Sequence, residues 1–438
     1  MRVGIVGGGI TGLALTHYLA ERDIDSVAFE ATTEAGGVIR SEQVDGHVLE
    51  TGPQRMRRSP AIAELARTAG VEGDIVEATE GDLYVYAKGR LGEAPLSGRA
   101  LLRTDLLSWR GKLRLLAEPL TRPGRPEETV ADVFVRKFGR ETYERFVGPL
   151  YGGLYGSDPA EMPAAFALEG LLEREEEAGS LLRAFQQRVG SGSQAPPITF
   201  EGGNQTLPRG LADIYADRIR LGTPIQRIER GDGRGRDGES ASGYVLETPD
   251  GRESVDAVVV TTPAGVAAEL LAPVAPAAEC LSDLRYNPLA LVFLQSDHDH
   301  EGKGYQVGYG EDLHTLGVSW NGSMFGRDGL NTAFLGGMHD PEVLDCSDER
   351  LGEIARSEFE TVVNAPATVV DVARLDPGFP AWDQSWWALG DLELPDGLHL
   401  ATNYTARMGV PSRVREAAEI AADLAGETGG EGRPKTDR

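Results

Sequence analysis

The chain is 438 residues long and 40% hydrophobic. At roughly 150 residues per domain this allows about three domains around a sizeable core, and it excludes a disordered protein. Asp and Glu number 69 against 43 Lys and Arg, a net charge of −26, which excludes a general nucleic-acid binder and argues against general attraction to anionic lipid; either role would need a local basic patch.

Val3–Val6 reads as a short buried strand, Gly7-x-Gly9-x-x-Gly12 as a turn, Leu13 to about Asp23 as a helix, and Ser26–Glu30 as a second strand. In this context Gly7 permits the tight turn, Gly9 lets a pyrophosphate approach the backbone, and Gly12 lets helix and strand pack closely. The helix N-terminus then faces the phosphates, and Glu30, 18 positions past Gly12, is the ribose-binding acid. A dinucleotide site is therefore expected at the start of the chain.

Residues 60–77 read as helix and 84–95 as short strands. Residues 99–190, rich in Leu, Arg and Glu, read as a mostly helical insertion broken by Pro119, Pro123, Pro126 and the glycines at 152–156. Strands near 224–229 and at 243–248 flank a Gly/Asp/Arg/Ser loop, and Asp256–Thr262 is a buried run of the parallel-sheet kind. Strands and turns alternate over 289–390 around one helix at 348–363. A strand at 398–401 precedes a helix from Ser412 to Ala425 capped by Ser412, and residues 426–438 form a flexible tail.

Only Lys88, Lys112, Lys137, Lys303 and Lys435 are lysines. Acidity with scarce lysine suits a halophilic protein, because salt screens like-charge repulsion over about 3 Å at 1 M; an ordinary acidic cytosolic protein is the alternative. Cys280 and Cys346 form neither a disulfide framework nor a paired metal-ligand spacing, so no metal is expected. No run reaches the roughly 18 apolar residues of a membrane span. A first strand at Val3 leaves no room for a signal peptide, so the expected address is cytoplasmic.

After Glu30-Ala31 the chain runs to Gly36-Gly37-Val38-Ile39-Arg40. This Gly-Gly pair followed by Arg resembles the flavoprotein oxidase and desaturase superfamily that includes amine oxidases. No second GxGxxG unit exists for a nicotinamide, and the resemblance implies FAD. Leu398 to Asn403 followed by Met408-Gly409-Val410-Pro411 is similar to the superfamily's C-terminal flavin segment, where a helix N-terminus stabilises negative charge on the reduced ring. The implied fold class is α/β. A Rossmann-like FAD-binding domain is assembled from residues 1–83, 199–270 and 390–425, with a mixed-sheet substrate-binding domain at 271–389. A mostly helical insertion at 84–198 faces substrate or membrane. The implied FAD contacts are Gly7, Gly8, Gly9, Ile10, Thr11, Gly12, Glu30, Ala31, Gly36, Gly37 and Arg40. Ile225 and Thr262 join them from the middle strands, and Ala401, Thr402, Met408, Gly409 and Val410 from the C-terminal segment.

The finer resemblance is to the protoporphyrinogen and coproporphyrinogen oxidase family, over nearly the whole chain. It rests on Glu50-Thr51-Gly52-Pro53 at the flavin edge, with Gln54 next to it, on Phe146 to Pro159 entering the substrate cavity, on Gly202-Gly203-Asn204-Gln205-Thr206-Leu207-Pro208, on Leu316 to Trp320 and on Leu335-Gly336-Gly337. Gly152-Gly153, Gly156-Ser157, Trp382, Trp386 and Arg407 depart from the family's usual residues. The resemblance implies oxidation of a porphyrinogen to the porphyrin in three two-electron steps with molecular oxygen as acceptor, in a monomer or homodimer. Such a substrate is carboxylated, and Arg binds carboxylate with a planar two-donor fork. Arg55 and Arg57, ahead of Arg58, are the substrate-binding candidates, together with Gly153; no catalytic residue is assigned.

Other features admit plainer accounts. Asp297-His298-Asp299-His300 reads as a solvated acidic turn and not a metal site. Trp382, Trp386 and Trp387 either wall a flat substrate or pack a core. The basic, amphipathic stretch Leu101–Leu120 either touches a membrane surface, as its position in the family suggests, or packs on its own domain. An isoprenoid desaturase would want an apolar tunnel. An amine oxidase would want a lysine beside the flavin, and Lys303 is the only lysine between 138 and 434. A flavin- or tetrapyrrole-binding carrier is the non-enzymatic alternative.

Overall fold

The structure, a computed structural model, describes residues 1–96, 98–184, 195–231, 243–298, 300–405 and 409–427. The first strand, β1 (Arg2–Val6), the helix α1 (Ile10–Ala20) and the second strand, β2 (Asp25–Phe29), form the expected strand-helix-strand unit. They sit in a parallel five-stranded sheet ordered Ile219–Arg220, β2, β1, Ala257–Val260, Leu398–Leu400. The central strands β1, β2 and Ala257–Val260 are largely apolar on both faces because both are covered. Val3, Ile5, Ala28 and Val259 pack under α1 and the helices Thr206–Ile214 and Val410–Leu424. Val6, Val27, Val258 and Val260 face Ile228, Tyr244, Leu246 and Val255 of an antiparallel three-stranded sheet. Each valine, leucine or isoleucine among these, fully buried, stabilises by about 1.5–3 kcal/mol.

A second, mixed sheet has seven strands in the order Thr368–Pro380, Tyr286–Gln295, Leu330–Gly336, Thr315–Ser319, Gly304–Val307, Leu83–Ala87, Arg90–Glu93. Alternation sets its two faces. Ala290, Val292, Leu294, Tyr305, Val307, Val318, Ala333 and Leu335 pack beneath helix Asp348–Val363. The opposite set includes Gln306, Gly317, Ser319 and Thr332, and Ser319 and Thr332 connect to Arg55 and, through Asn321, to Gln54. Between residues 98 and 178 the chain is mostly short helices joined by turns, and helix Gly148–Tyr155 packs against the second sheet.

Several sequence expectations shift. Residues 60–77 are not one helix: Pro60–Thr68 ends at Gly70 (φ +73°), and Ile75–Glu77 pairs with Pro197–Phe200. Leu83–Ala87 and Arg90–Glu93 are strands, as expected over 84–95, but instead of belonging with the helical insertion they hydrogen-bond into the seven-stranded sheet through a parallel pairing with Gly304–Val307. Ile225 and Thr262 flank strands without belonging to them, since the strands are Arg227–Arg230 and Ala257–Val260. The last helix begins at Val410 with Gly409 as N-cap, two residues before the expected Ser412. Pro411 at its first turn presets the helical φ, and Gly409 at φ +102° supplies the entry. The 231–242 loop beyond Gly231, Asp299, Arg407, Met408 and the tail after Glu427 lie outside the described residues.

Candidate active site

The glycines of the first turn are not equivalent. A Cβ on Gly12 would stand 2.1 Å from the Gly7 carbonyl oxygen, and Gly7 itself adopts φ +117°. The protein's own backbone therefore demands both. A Cβ on Gly9 would meet nothing closer than Gly37 Cα at 3.8 Å, so packing leaves that position open, as a phosphate approaching the backbone requires. α1 has no side-chain cap and no acid in its first turn, so its N-terminal N–H groups and partial positive charge remain for an anion. Buried Glu30 closes the far side, its carboxylate accepting from Gly8 N–H at 2.7 Å and Thr32 N–H at 2.9 Å.

The Gly36-Gly37 turn docks onto this loop, with Gly36 N–H donating to the Gly8 carbonyl at 2.9 Å. Arg40 folds back over the turn, donating to the carbonyl of Gly37 at 3.1 Å and to Glu34 at 3.0 Å. Next to it, a Cβ on Gly52 would stand 1.9 Å from the Val38 carbonyl oxygen, so the Glu50-Thr51-Gly52-Pro53 segment can only lie where it does with glycine. Glu50 is buried and accepts from Ser41 Oγ (2.7 Å), Asn204 N–H (3.0 Å) and Arg327 Nη2 (3.0 Å). Burial pushes its carboxyl up from the usual range against these donors. The Gln54 side chain is spent inside the protein, donating to the carbonyls of Glu50 and Gly52 and accepting from Asn321 Nδ2 at 3.1 Å.

The later pieces converge on the carboxyl edge of the parallel sheet, where such folds bind ligands. Ala401 N–H donates to the Val260 carbonyl at 3.0 Å. Thr402 is held by Thr405, and Gly409-Val410 open a 15-residue helix whose N-terminus also lacks a side-chain cap and an acid. Two buried polar atoms here have no hydrogen-bond partner among the described residues: Thr262 Oγ1, just past its strand, and Asn204 Oδ1, whose amide also donates to the Pro53 carbonyl. Orphaned polar groups of this kind are rare unless a ligand meets them. The open Gly9, the two uncapped helix ends and these atoms fit a bound dinucleotide of FAD's chemistry.

The arginine trio divides. Arg58 leaves for the surface and pairs with Glu77. Arg57 is exposed and donates to the Ala195 carbonyl at 3.0 Å. Arg55 donates through Nη1 to Ser319 Oγ at 3.1 Å and lies against Met324 Sδ. Its surface is accessible, yet desolvation, seconded by the nearby Arg57 charge, holds its guanidinium below the usual arginine range. Arg55 is thus open to solvent yet crowded by surrounding protein. Gly153 borders the same sheet face: a Cβ there would stand 2.1 Å from Gln306 Oε1.

Trp382 and Trp386 stack at 4.2 Å and Trp382 meets Tyr155 at 4.9 Å. Both tryptophans are buried in the main core, while Trp387 is half exposed. Tyr309, beside the Gly148–Tyr155 helix, donates to the Gly148 carbonyl at 2.9 Å and sits 3.1 Å from His339 Nε2. Motif reading missed Gln306, Asn321, Arg327 and His339 because their contacts join segments far apart in the chain; only Ser319 lay in a quoted motif. No group of three metal-ligating side chains occurs among the described residues.

A parallel dinucleotide-binding sheet with a GxGxxG loop, a second Gly-Gly turn and a C-terminal helix aimed at the same edge defines a flavin-dependent oxidoreductase. The chain belongs to the flavin containing amine oxidoreductase family, which matches residues 10–424, and it is an FAD-dependent enzyme. Protoporphyrinogen oxidase 1, chloroplastic, of Spinacia oleracea is 28% identical over 480 residues, covering 96% of this chain and 83% of that protein. Coproporphyrinogen III oxidase of Staphylococcus aureus is 28% identical over 424 residues, covering 87% and 88%. A provisionally assigned protoporphyrinogen oxidase from Exiguobacterium sp. 255-15 superposes with a TM-score of 0.80 at 23% identity, over 98% of this chain and 99% of that one.

Proposed function

We propose that the enzyme oxidises a porphyrinogen, protoporphyrinogen IX or coproporphyrinogen III, to the porphyrin, with molecular oxygen as the final acceptor. The observation that carries this reading is Arg55, a desolvated yet accessible cation for which no carboxylate partner is seen among the described residues. Such a group favours an anionic guest. The names of the curated relatives support a tetrapyrrole as that guest.

FAD, when bound, supplies the two-electron acceptor for each step. The protein's part is to bind, orient and exclude water. Gly7–Gly12, Glu30, Gly36-Gly37 and the N-terminus at Gly409 would hold the cofactor, and Arg55, fixed by Ser319, would hold a carboxylate arm. Because the product is aromatic, ring formation drives the reaction and the site need not supply a strong base.

Anaerobic mixing of the yellow protein with both porphyrinogens, a carotenoid precursor and simple amines tests the reading. Bleaching by either porphyrinogen supports it, and the ratio of rates names the preferred substrate. Bleaching only by an amine or a carotenoid precursor would replace it with the corresponding alternative.

Peripheral membrane contact belongs to the same proposal. Leu102, Trp109, Leu113, Leu116 and Leu120 are exposed, between 54% and 89%, alongside Arg103 and Arg110. No helix among the described residues is long and apolar enough to cross a membrane, so such contact would be interfacial. Co-sedimentation with anionic vesicles, lost in a Trp109→Ser, Leu120→Ser double variant, is the expected result; no sedimentation by the parent protein would exclude it.

A further inference from the structure

Strand Gly304–Val307 commits Tyr305 and Val307 to the core under helix Asp348–Val363, which leaves Gln306 on the opposite face. In register it faces Gly317, two residues from the Ser319 that holds Arg55. Diagonal neighbours across an antiparallel pair lie roughly 7–8 Å apart, so Gln306 shares one sheet face with the hydroxyl that fixes Arg55. Gln306 Oε1 is buried with no partner among the described residues. It is wedged between two glycines, since a Cβ would stand 2.1 Å from it at Gly153 and 2.9 Å at Gly317. The amide nitrogen is the end left to meet a ligand. The orphaned Oε1 is a cost that a carboxylate, itself an acceptor, cannot relieve; the Nε2 end, with no hydrogen bond seen among the described residues, is the one a carboxylate can meet.

We infer that Gln306 is a second substrate-recognition residue, its carboxamide N–H donating to the carboxylate arm that Arg55 binds; this rests on the porphyrinogen reading above. The cation supplies attraction and the neutral donor supplies direction, so the pair reads a carboxylate and rejects its ester. At Gly153 the amide fills the space a side chain would need, whereas at Gly317 the Tyr305 carbonyl oxygen, 2.7 Å from a would-be Cβ, is nearer still.

The test is a binding titration of the FAD-loaded protein with coproporphyrin, an oxidised tetrapyrrole that cannot turn over, and with its methyl ester, followed by quenching of flavin fluorescence. The parent should prefer the free acid. Gln306→Leu should weaken acid binding about five- to tenfold, leave ester binding unchanged, and melt at or above the parent's temperature. Gln306→Glu should weaken acid binding further by like-charge repulsion. Parental affinity for both forms in Gln306→Leu, or equal loss of both, would overturn the role of Gln306 alone. A parent protein that binds neither form would remove the porphyrinogen reading, and this inference with it.

Discussion

Arg55 Nη1 donates to Ser319 Oγ across 3.1 Å, tying the segment behind Gly52-Pro53 to the end of a strand in the other sheet. The bond orients a desolvated cation with no carboxylate seen beside it among the described residues. Arg55→Gln should therefore lower affinity for a carboxylated porphyrin about 10- to 100-fold, the size of a lost charge-assisted hydrogen bond of roughly 1.5–3 kcal/mol. The ligand-free variant should melt no lower than the parent, because an uncompensated charge is gone. Unchanged affinity in an equilibrium titration would remove Arg55 from the site.

Glu50 and Arg327 form the opposite case, a buried pair whose members are both satisfied. Arg327 also donates to the carbonyl of Val48 at 2.6 Å and to Thr199 Oγ1 at 2.9 Å, which pins the flavin-edge segment to the second sheet. Removing one partner strands the other charge. Arg327→Met should cost roughly 3–5 kcal/mol, read from urea unfolding, and should loosen FAD retention on gel filtration. A loss under about 1 kcal/mol would show that the pair is not a structural pin.

Gly153→Ala tests how space is shared around Gln306. Its new Cβ would meet the far end of a flexible side chain, Gln306 Oε1, and not backbone. The amide can swing away, so the fold should lose less than the roughly 1–3 kcal/mol usual for overpacking, while porphyrin affinity falls. The reverse pattern, a severely destabilised protein with normal affinity, would place Gly153 in structure and not in recognition.

His339 sets a pH dependence. Tyr309 spends its proton on the Gly148 carbonyl, so it accepts from His339 Nε2–H. Desolvation lowers the imidazole pKa, with Asp158 opposing. A histidine whose folded pKa lies below its unfolded one leaves the unfolded chain holding more protons in that window, so stability falls as pH drops below the ordinary histidine value. Melting temperature should decline between about pH 7.5 and 5, less steeply in His339→Gln. Parallel curves for the two proteins would exclude this residue as the cause.

Much of the cofactor half was legible in the sequence because its determinants are local. β1, the glycine turn, α1 and Glu30 lie within thirty residues, and Gly7 and Gly12 have a backbone reason to be there. The substrate half was not, because its faces are built from strands paired across the chain. Leu83–Ala87 looks like part of an insertion until Gly304–Val307 pairs with it, some 220 residues later. Gln306 is an unremarked polar residue until Gly317 and Gly153 close around it. The helix start was misjudged for a different reason: Ser412 is a good cap by type, but Pro411 and the left-handed Gly409 had already begun the turn. Of three adjacent arginines, only geometry shows that Arg58 belongs to Glu77 and Arg55 to Ser319.

The most direct measurement is an anaerobic titration of the FAD-loaded enzyme with porphyrinogen, following flavin bleaching and porphyrin absorbance together. The account predicts that the two rise in step, with about three flavins reduced for each porphyrin formed, and that admitted oxygen restores the yellow colour. Porphyrin appearing without flavin bleaching, or no bleaching by either porphyrinogen, would contradict it.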